Sequence, residues 1–295
     1  IMGEQSPGAA LELKRVHQVF SLQYGGEELA RYRFFWEQAK PYLYPLRLPG
    51  SPCLLSDSPP DHFHHHGIWF GHGEVNGFDF WLEHPHGKGR IEQHFIEEVT
   101  GSGERVGFRT RNRWIAPDGS IPVQDIRDWR FHMDAAGNLC IDITFSLCPL
   151  GGPVTLYGSN ESGLPHIRPA QKIWVTSGGR IVNSEGGVDE AGTYGKPAHW
   201  VDYSGPAGDD GSWYGIAVFN HPENPQDPAP WFTRNYGPFS PNFLLFSPPV
   251  TIQPGALWTL KYRIVAHRGD HEAADVRGKY EQYLAEVQSG GRKDG

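Results

Sequence analysis

The sequence predicts a mostly β protein, an antiparallel β-sandwich closed by one C-terminal helix. Three observations carry this. Apolar and polar residues alternate with a period of two through most of the chain. Glycine and proline, 37 and 25 of 295 residues, interrupt it about once every five positions, as short strands joined by turns require. Only one segment has helical spacing.

Alternation places strands at 11–16, 18–22 and 28–36, the last after the Gly25-Gly26 turn. Further strands are expected at 106–114, 125–133, 139–147, 172–175, 213–219 and 257–267. Asp134-Ala135-Ala136-Gly137-Asn138 separates two of them and reads as a hairpin turn. Residues 271–289 set Ala274, Tyr280, Tyr283, Leu284 and Val287 on one helical face, and Gly290-Gly291 stops the pattern. Segments 186–198 and 220–241 are long loops rich in Gly, Pro and aromatics, the composition of ordered functional loops. No repeat and no linker divides the chain, so residues 1–295 are expected to form one domain.

A net charge of -8 without a Lys/Arg-rich run argues against nucleic acid and anionic membrane partners. No apolar stretch reaches the roughly 20 residues that span a bilayer. Cys53, Cys140 and Cys148 are too few and too scattered for a disulfide framework or a thiolate zinc site, and Cys140 and Cys148 read as small buried hydrophobes. No secretory leader is visible, although the opening Ile1-Met2-Gly3 leaves room for one upstream. A cytoplasmic protein is the expectation, with a homo-oligomer left open.

Residues 61–73, DHFHHHGIWFGHG, concentrate the chemistry. His64, His65, His66 and His72 fall close together, with His62 just upstream and His84, His86 and His94 downstream. If 62–69 is extended, His62, His64 and His66 share one face, and Phe63 and His65 the other. Such imidazoles can bind a divalent metal, with His64 and His66 as the candidate ligands. They can equally act as general acid and base, with ordinary pKa values near 6.5. Isolated histidines are often solvated or core residues, but a cluster followed by Gly67, Gly71 and Gly73 suits a site that the backbone approaches closely. Trp69 and Trp81 add ring faces, and Glu74, Asn76 and Asp79 add carboxylate and amide groups. A polyhydroxylated ligand uses such a set: hydroxyls take the hydrogen bonds, and the C–H face stacks on rings.

Further along, Asn160-Glu161-Ser162-Gly163-Leu164-Pro165-His166-Ile167-Arg168 sets carboxylate, imidazole and guanidinium close together. His221 and Asn224 sit between prolines in a stiff loop, which continues to Trp231, Arg234 and Tyr236.

The run DHFHHHGIWFGHGEVNGFDFW resembles the bacterial family catalogued as methane oxygenase PmoA, whose usual pattern is Asp-x-Pro-His-His-Arg-Gly-hydrophobic-Trp. His64, His65 and Gly67 match; Phe63 stands where proline is common and His66 where arginine is common. Trp200-Val201-Asp202-Tyr203-Ser204-Gly205, following Asn183 and Gly186-Gly187, resembles a second block of that family. His221-Pro222-Glu223-Asn224-Pro225, Pro230-Trp231, Arg234, Tyr236-Gly237 and Pro241-Asn242 resemble a third. The resemblance spans roughly residues 40–265. It implies a β-supersandwich of the galactose-mutarotase-like kind, related to aldose epimerases and other sugar-processing proteins. The oxygenase name does not fit a chain without apolar spans, because a membrane subunit needs spanning helices.

Three functions follow as expectations. The first is a carbohydrate-active enzyme: an epimerase, a β-elimination lyase or a glycoside hydrolase acting on a sugar, an oxidised sugar or an oligosaccharide. His65 or His72 would be the proton carrier, with His64, His221 and Glu74 as further catalytic candidates and Glu161 or Glu83 as alternative carboxylates. Substrate would be held by Trp69, Asn76, Arg127, Glu161, His166, Arg168, Asn224, Trp231, Arg234 and Tyr236. The second is a metal-dependent oxygenase or hydrolase with two histidines and Glu74 on the metal. The third is a non-catalytic sugar-binding module. No cofactor other than such a metal is implied.

Overall fold

The computed structural model describes residues 10–83, 88–241 and 244–290. Two large antiparallel sheets face each other. The nine-stranded sheet runs Phe232–Thr233, Phe239–Ser240, Ser162–Ile167, Ile68–His72, Tyr42–Leu46, Glu27–Arg33, Val19–Tyr24, Leu11–Val16 and Ser102–Gly103. The eight-stranded sheet runs Arg180–Asn183, Trp200–Gly205, Tyr214–Asn220, Trp258–Arg268, Leu139–Pro149, Val123–Met133, Arg105–Ile115 and Arg90–Thr100. The antiparallel β-sandwich with a C-terminal helix is therefore the observed architecture.

The period of two explains the layers. In Leu139–Pro149, Ile141, Ile143 and Phe145 point into the core between the sheets, while Cys140 points outward. Aromatic pairs bridge the gap: Phe20 stacks on Phe108 at 4.4 Å and Phe70 on Phe145 at 4.6 Å. The outward residues Cys140, Trp200, Ala217, Phe219 and Val265 form a second apolar surface. The helix Val276–Gly290 covers it with Val276, Tyr280 and Tyr283, joined at the margin by Leu284 and Val287.

The expected helical face is present, but the helix starts five residues later than the pattern suggests. Asp275 adopts φ +49°, and its Oδ1 accepts the Gly278 N–H, so it caps the helix. Ala274 packs in the same cluster from the turn before. Residues 172–175 are not a strand: two 3₁₀ turns, Gln171–Ile173 and Val175–Ser177, occupy this stretch and end at Gly178, φ +96°. Only Ile173 in it is buried, so there is no alternating face to pair.

Cys53, Cys140 and Cys148 are free thiols. Cys140 is buried and burial raises its thiol to about 12, whereas Cys148 is only half-buried. Among the described residues, no helix is long and apolar enough to cross a membrane. His84, His86 and Asn242 lie outside the described residues.

Candidate functional site

The strand Ile68–His72 decides which side chains meet. Ile68 and Phe70 point into the core, so Trp69 points to the outer face of the nine-stranded sheet. The neighbouring strand Ser162–Ile167 pairs His166 with Trp69, which puts His166 on that outer face too. A bulge between Gly163 and His166 turns the imidazole back over Gly163, where a Cβ would lie 2.2 Å from the His166 Cβ. Gly67, before the strand, lets the backbone pass the Leu43 carbonyl, where a Cβ would lie at 2.2 Å.

Residues 61–67 are not extended. The His62 N–H donates to the Pro59 carbonyl, the His65 N–H to the His62 carbonyl, and the Ser58 N–H to the His65 carbonyl. These turns break the expected two-face alternation: His62 stacks on His65 at 4.5 Å, and His64 meets His65 edge-on at 4.7 Å. His65, Trp69, Trp81 and His166 form one ring cluster, with centroids 4.5–5.8 Å apart.

Above this cluster lies a cleft of about 220 Å³. Its lining includes His62, His65, Trp81 and His166 from the cluster side and Asn160 and Glu161 from the loop before the Ser162–Ile167 strand. The opposite wall is Phe232, Arg234 and Tyr236. Here the Arg234 N–H donates to the Pro238 carbonyl, closing the turn between the two short edge strands.

Arg168 organises this site. Its guanidinium lies between the Trp174 ring at 4.7 Å and the Tyr236 ring at 5.5 Å. Nη2 donates to Asp61 Oδ2 at 2.5 Å and Nη1 donates to His65 Nδ1 at 3.2 Å. Burial, then His166, His64 and Arg168, hold the His65 pKa far below the usual imidazole value, so His65 is neutral. Burial likewise keeps His166 neutral. Its Nδ1 donates to the Ser162 carbonyl, which leaves Nε2 as a buried acceptor with no partner among the described residues. Trp69 Nε1, Trp81 Nε1 and Arg168 Nε are also buried without a partner there. Buried polar atoms are nearly always paired, and four of those without a partner among the described residues belong to this ring cluster and the adjoining Arg168.

The Glu161 carboxyl makes no hydrogen bond or ion pair among the described residues, unlike most carboxyl groups nearby. Burial, reinforced by Asp79, raises its pKa. Arg234 is already paired, with Glu190 Oε1 at 2.7 Å.

His66 faces away from the cleft into a chain of alternating charge. Its Nδ1 bonds Asp57 Oδ1 at 2.6 Å and its Nε2 bonds Glu83 Oε1 at 2.9 Å, while the ring stacks on Tyr42 at 4.1 Å. Arg33 lies 3.4 Å beyond Asp57, and Lys40 lies 3.0 Å from Glu83. Burial would lower the His66 pKa, but the two carboxylates outweigh it and raise it. Burial would raise Glu83, but Lys40 and His66 outweigh it and hold Glu83 at about 2. Lys40 is itself lowered by burial, and its ammonium also donates to the Trp81 carbonyl.

These contacts do not suit the expected metal set. Both His66 nitrogens are committed to carboxylates; among the described residues His64 makes no hydrogen bond, and the exposed Glu74 holds only the Tyr157 N–H, through its carbonyl. Among the described residues, no group of three His, Cys, Asp or Glu side chains is arranged to hold a metal ion.

Several expected site residues lie elsewhere. His72 has the parity of Ile68 and Phe70, so it points into the core and bonds Ser162 Oγ at 2.9 Å and the Tyr157 carbonyl at 2.7 Å. Arg127 is fully buried between the sheets on Asp125, which also accepts from Asn112 and Trp114. Asn76 closes a turn through Thr155 and Pro153. Asn224 ties its loop to Lys261, and His221 lies 5.9 Å from Tyr283 of the C-terminal helix, beside the other sheet. Trp231 is buried and donates to the Ala198 carbonyl. The six residues that converge with His65 are Trp69, Glu161, His166, Arg168, Arg234 and Tyr236; His64 stands at their edge, half-buried, with its pKa lowered by burial to about 4. Asp61, His62, Trp81, Trp174 and Phe232 complete the site. Asp61 and His62 open the histidine segment itself, but nothing in the sequence couples Lys40 or Asp57 to it.

The fold and site thus define a two-sheet antiparallel β-sandwich with a cleft of aromatic rings, neutral imidazoles and one unpaired carboxyl on an outer sheet face. By sequence the chain belongs to DUF6807, a family of unknown function, whose model matches residues 20–281. A comparison with curated proteins found no match. Among solved structures, a protein from the human microbiome described as a kojibiose phosphorylase is similar with TM-score 0.38 and 10% identity. The match covers 88% of this chain, which spans about a third (32%) of that one. A GalM/aldose epimerase homologue from C. elegans is similar with TM-score 0.33 and 9% identity, over 89% of this chain and 100% of that one.

Proposed function

We propose that this protein is a carbohydrate-active enzyme in which Glu161 exchanges a proton with the substrate while His65 donates a hydrogen bond to a substrate oxygen. The observation that carries this is the meeting, in one cleft, of an unpaired carboxyl with a raised pKa and an imidazole whose hydrogen is held on Nε2 by Arg168. An unpaired carboxylate of raised pKa is a stronger base than a solvated one, and a neutral imidazole can stabilise negative charge on oxygen without bringing charge of its own. Glu161 would take the proton of a hydroxyl or an activated C–H. His65 Nε2–H would bond the ring, glycosidic or carbonyl oxygen on which electron density collects. The same pair serves epimerisation, β-elimination or hydrolysis.

Tyr236, partly exposed, offers its ring to the C–H side of a sugar, and the buried rings of Trp81 and Phe232 line the same cleft. Both guanidinium groups are already neutralised, by Asp61 and Glu190, so a neutral sugar suits the cleft better than a uronate. We also propose kinship with the PmoA-named family, on the strength of His64, His65 and Gly67.

The test is to follow a panel of neutral sugars, glycosides and 3-keto-sugars by proton NMR with the wild type and with Glu161→Gln. The reading expects a substrate whose turnover is lost in Glu161→Gln while binding persists. Binding without product would leave a sugar-binding module, and unchanged turnover in both Glu161→Gln and His65→Phe would end the proposed roles.

A further inference from the structure

We propose that a second groove, built on Trp36 and Phe95, binds a neutral glycan chain. It occupies about 480 Å³ between the turn at residues 34–39 and the edge strand Arg90–Thr100 of the eight-stranded sheet. This site stands apart from the His65 cleft and does not depend on its chemistry.

Trp36 is 71% exposed and Phe95 57% exposed, with Phe35 beside them. A large exposed ring loses apolar burial, so a pair of them along one groove calls for a ligand. Nor is Trp36 carried on a loose loop. The Phe34 N–H donates to the Gln18 carbonyl, the Phe35 N–H to Gln38 Oε1 and the Trp36 N–H to Gln18 Oε1. The Ile91 N–H donates to the Ala39 carbonyl and closes the far end of the turn. The ring is displayed on a backbone tied at both ends.

The polar lining indicates what the rings receive. Gln93 lines the groove, and its buried Oε1 has no partner among the described residues. His94 is bulged out of the ladder beside it. Arg15 and Glu92 contribute opposite charges, so the groove favours neither an anion nor a cation. Flat apolar faces next to amide and imidazole groups, without net charge, match the alternating C–H and hydroxyl surface of a neutral glycan. A second copy of the chain adding a strand here is disfavoured by two register shifts, at Gln93/Phe95 and Ile96/Glu98, which break the edge ladder.

The experiment is native affinity electrophoresis in gels containing dextran, mixed-linkage β-glucan, xylan or galactomannan. It compares the wild type with Trp36→Ala, Phe95→Ala and Tyr236→Ala, a change in the His65 cleft, with circular dichroism confirming that each variant is folded. Expected is retardation of the wild type and Tyr236→Ala alike by at least one polysaccharide, weakened about tenfold in Trp36→Ala, equivalent to the stacking of one ring. Failure of all four polysaccharides to retard the wild type would overturn the proposal, as would undiminished retardation of Trp36→Ala and Phe95→Ala. Retardation lost in Tyr236→Ala would place the binding in the other cleft, and the proposal would fall. A dimer seen by sedimentation that Trp36→Ala converts to monomer would make the groove an interface between copies, and the glycan proposal would fall.

Discussion

Arg168 Nη1 lies 3.2 Å from His65 Nδ1, and because a guanidinium can only donate, His65 accepts at Nδ1 and carries its hydrogen on Nε2. The other Arg168 nitrogen is held by Asp61 Oδ2 at 2.5 Å, and the guanidinium plane lies between Trp174 and Tyr236. One side chain thus sets the tautomer of the central imidazole.

Arg168→Met should release that control. Nitrogen-15 NMR of the wild type should show His65 as the Nε2–H tautomer, and the variant should show a mixture. Activity on any substrate identified should fall by about a hundredfold, the lower range for a displaced acid–base group. Arg168→Lys should restore little, because an ammonium cannot bridge His65 and Asp61 in one plane. An unchanged tautomer in Arg168→Met would sever the link.

Glu161 has a carboxyl pKa raised by burial and by Asp79. Acting as a base, it must be ionised, so kcat/KM should rise with pH on a limb displaced above the ordinary glutamate value of about 4.3. Glu161→Gln should abolish that limb and cost about 10²–10⁴ in kcat. The folded state holds the Glu161 proton more tightly than the unfolded chain does. Stability from this group is therefore present below the unfolded pKa and lost as pH rises through the folded one. Urea unfolding at pH 7 should show Glu161→Gln at least as stable as the wild type.

His66 behaves differently, as an imidazolium between Asp57 and Glu83 with a raised pKa. Its stabilising effect is complete below the unfolded value of about 6.5 and is lost as pH rises through the raised one. His66→Ala would leave two carboxylates short of a buried partner, at a cost of about 3–5 kcal/mol. Urea midpoints should show that full gap at pH 6 and a narrower one at pH 9. A gap that stays constant would mean that His66 acts through packing on Tyr42 alone.

Much of the fold is legible in the sequence, because a period of two specifies both a strand and the face it buries. The 134–138 hairpin and the helical face of Tyr280, Tyr283, Leu284 and Val287 appear in the structure as the patterns imply. The site is legible in part. Glu161, His166 and Arg168 stand in one short segment, and Arg234 and Tyr236 in one turn, so local sequence keeps each set together. Extending the strand back to His62 fails because the backbone turns at Pro59, His62 and His65, which no alternation signals. Arg127 reads like a substrate-binding cation, but Asp125 two residues earlier points to the same face of the strand and neutralises it in the core. Lys40 and Asp57 meet His66 only through tertiary packing, so no local pattern could have joined them.

His72 gives the sharpest case, since the register of one strand decides its role. Counting from Trp69 places it three positions on, on the opposite face, among core residues. There Ser162 Oγ and the Tyr157 carbonyl engage both of its nitrogens, and burial lowers its pKa to about 4 despite the carbonyl contact. The folded state then binds fewer protons than the unfolded chain between about pH 4 and the unfolded value of about 6.5. Stability from His72 is full above that window and declines as pH falls through it, by about 3 kcal/mol for a shift of this size. His72→Gln has no such titration, so the stability of the wild type relative to this variant should fall on going from pH 7 to pH 4. Residual activity per folded molecule should match the wild type at pH 7. If turnover instead fell a hundredfold while the unfolding curve stayed put, His72 would be part of the chemistry, and the parity argument for this strand would be wrong.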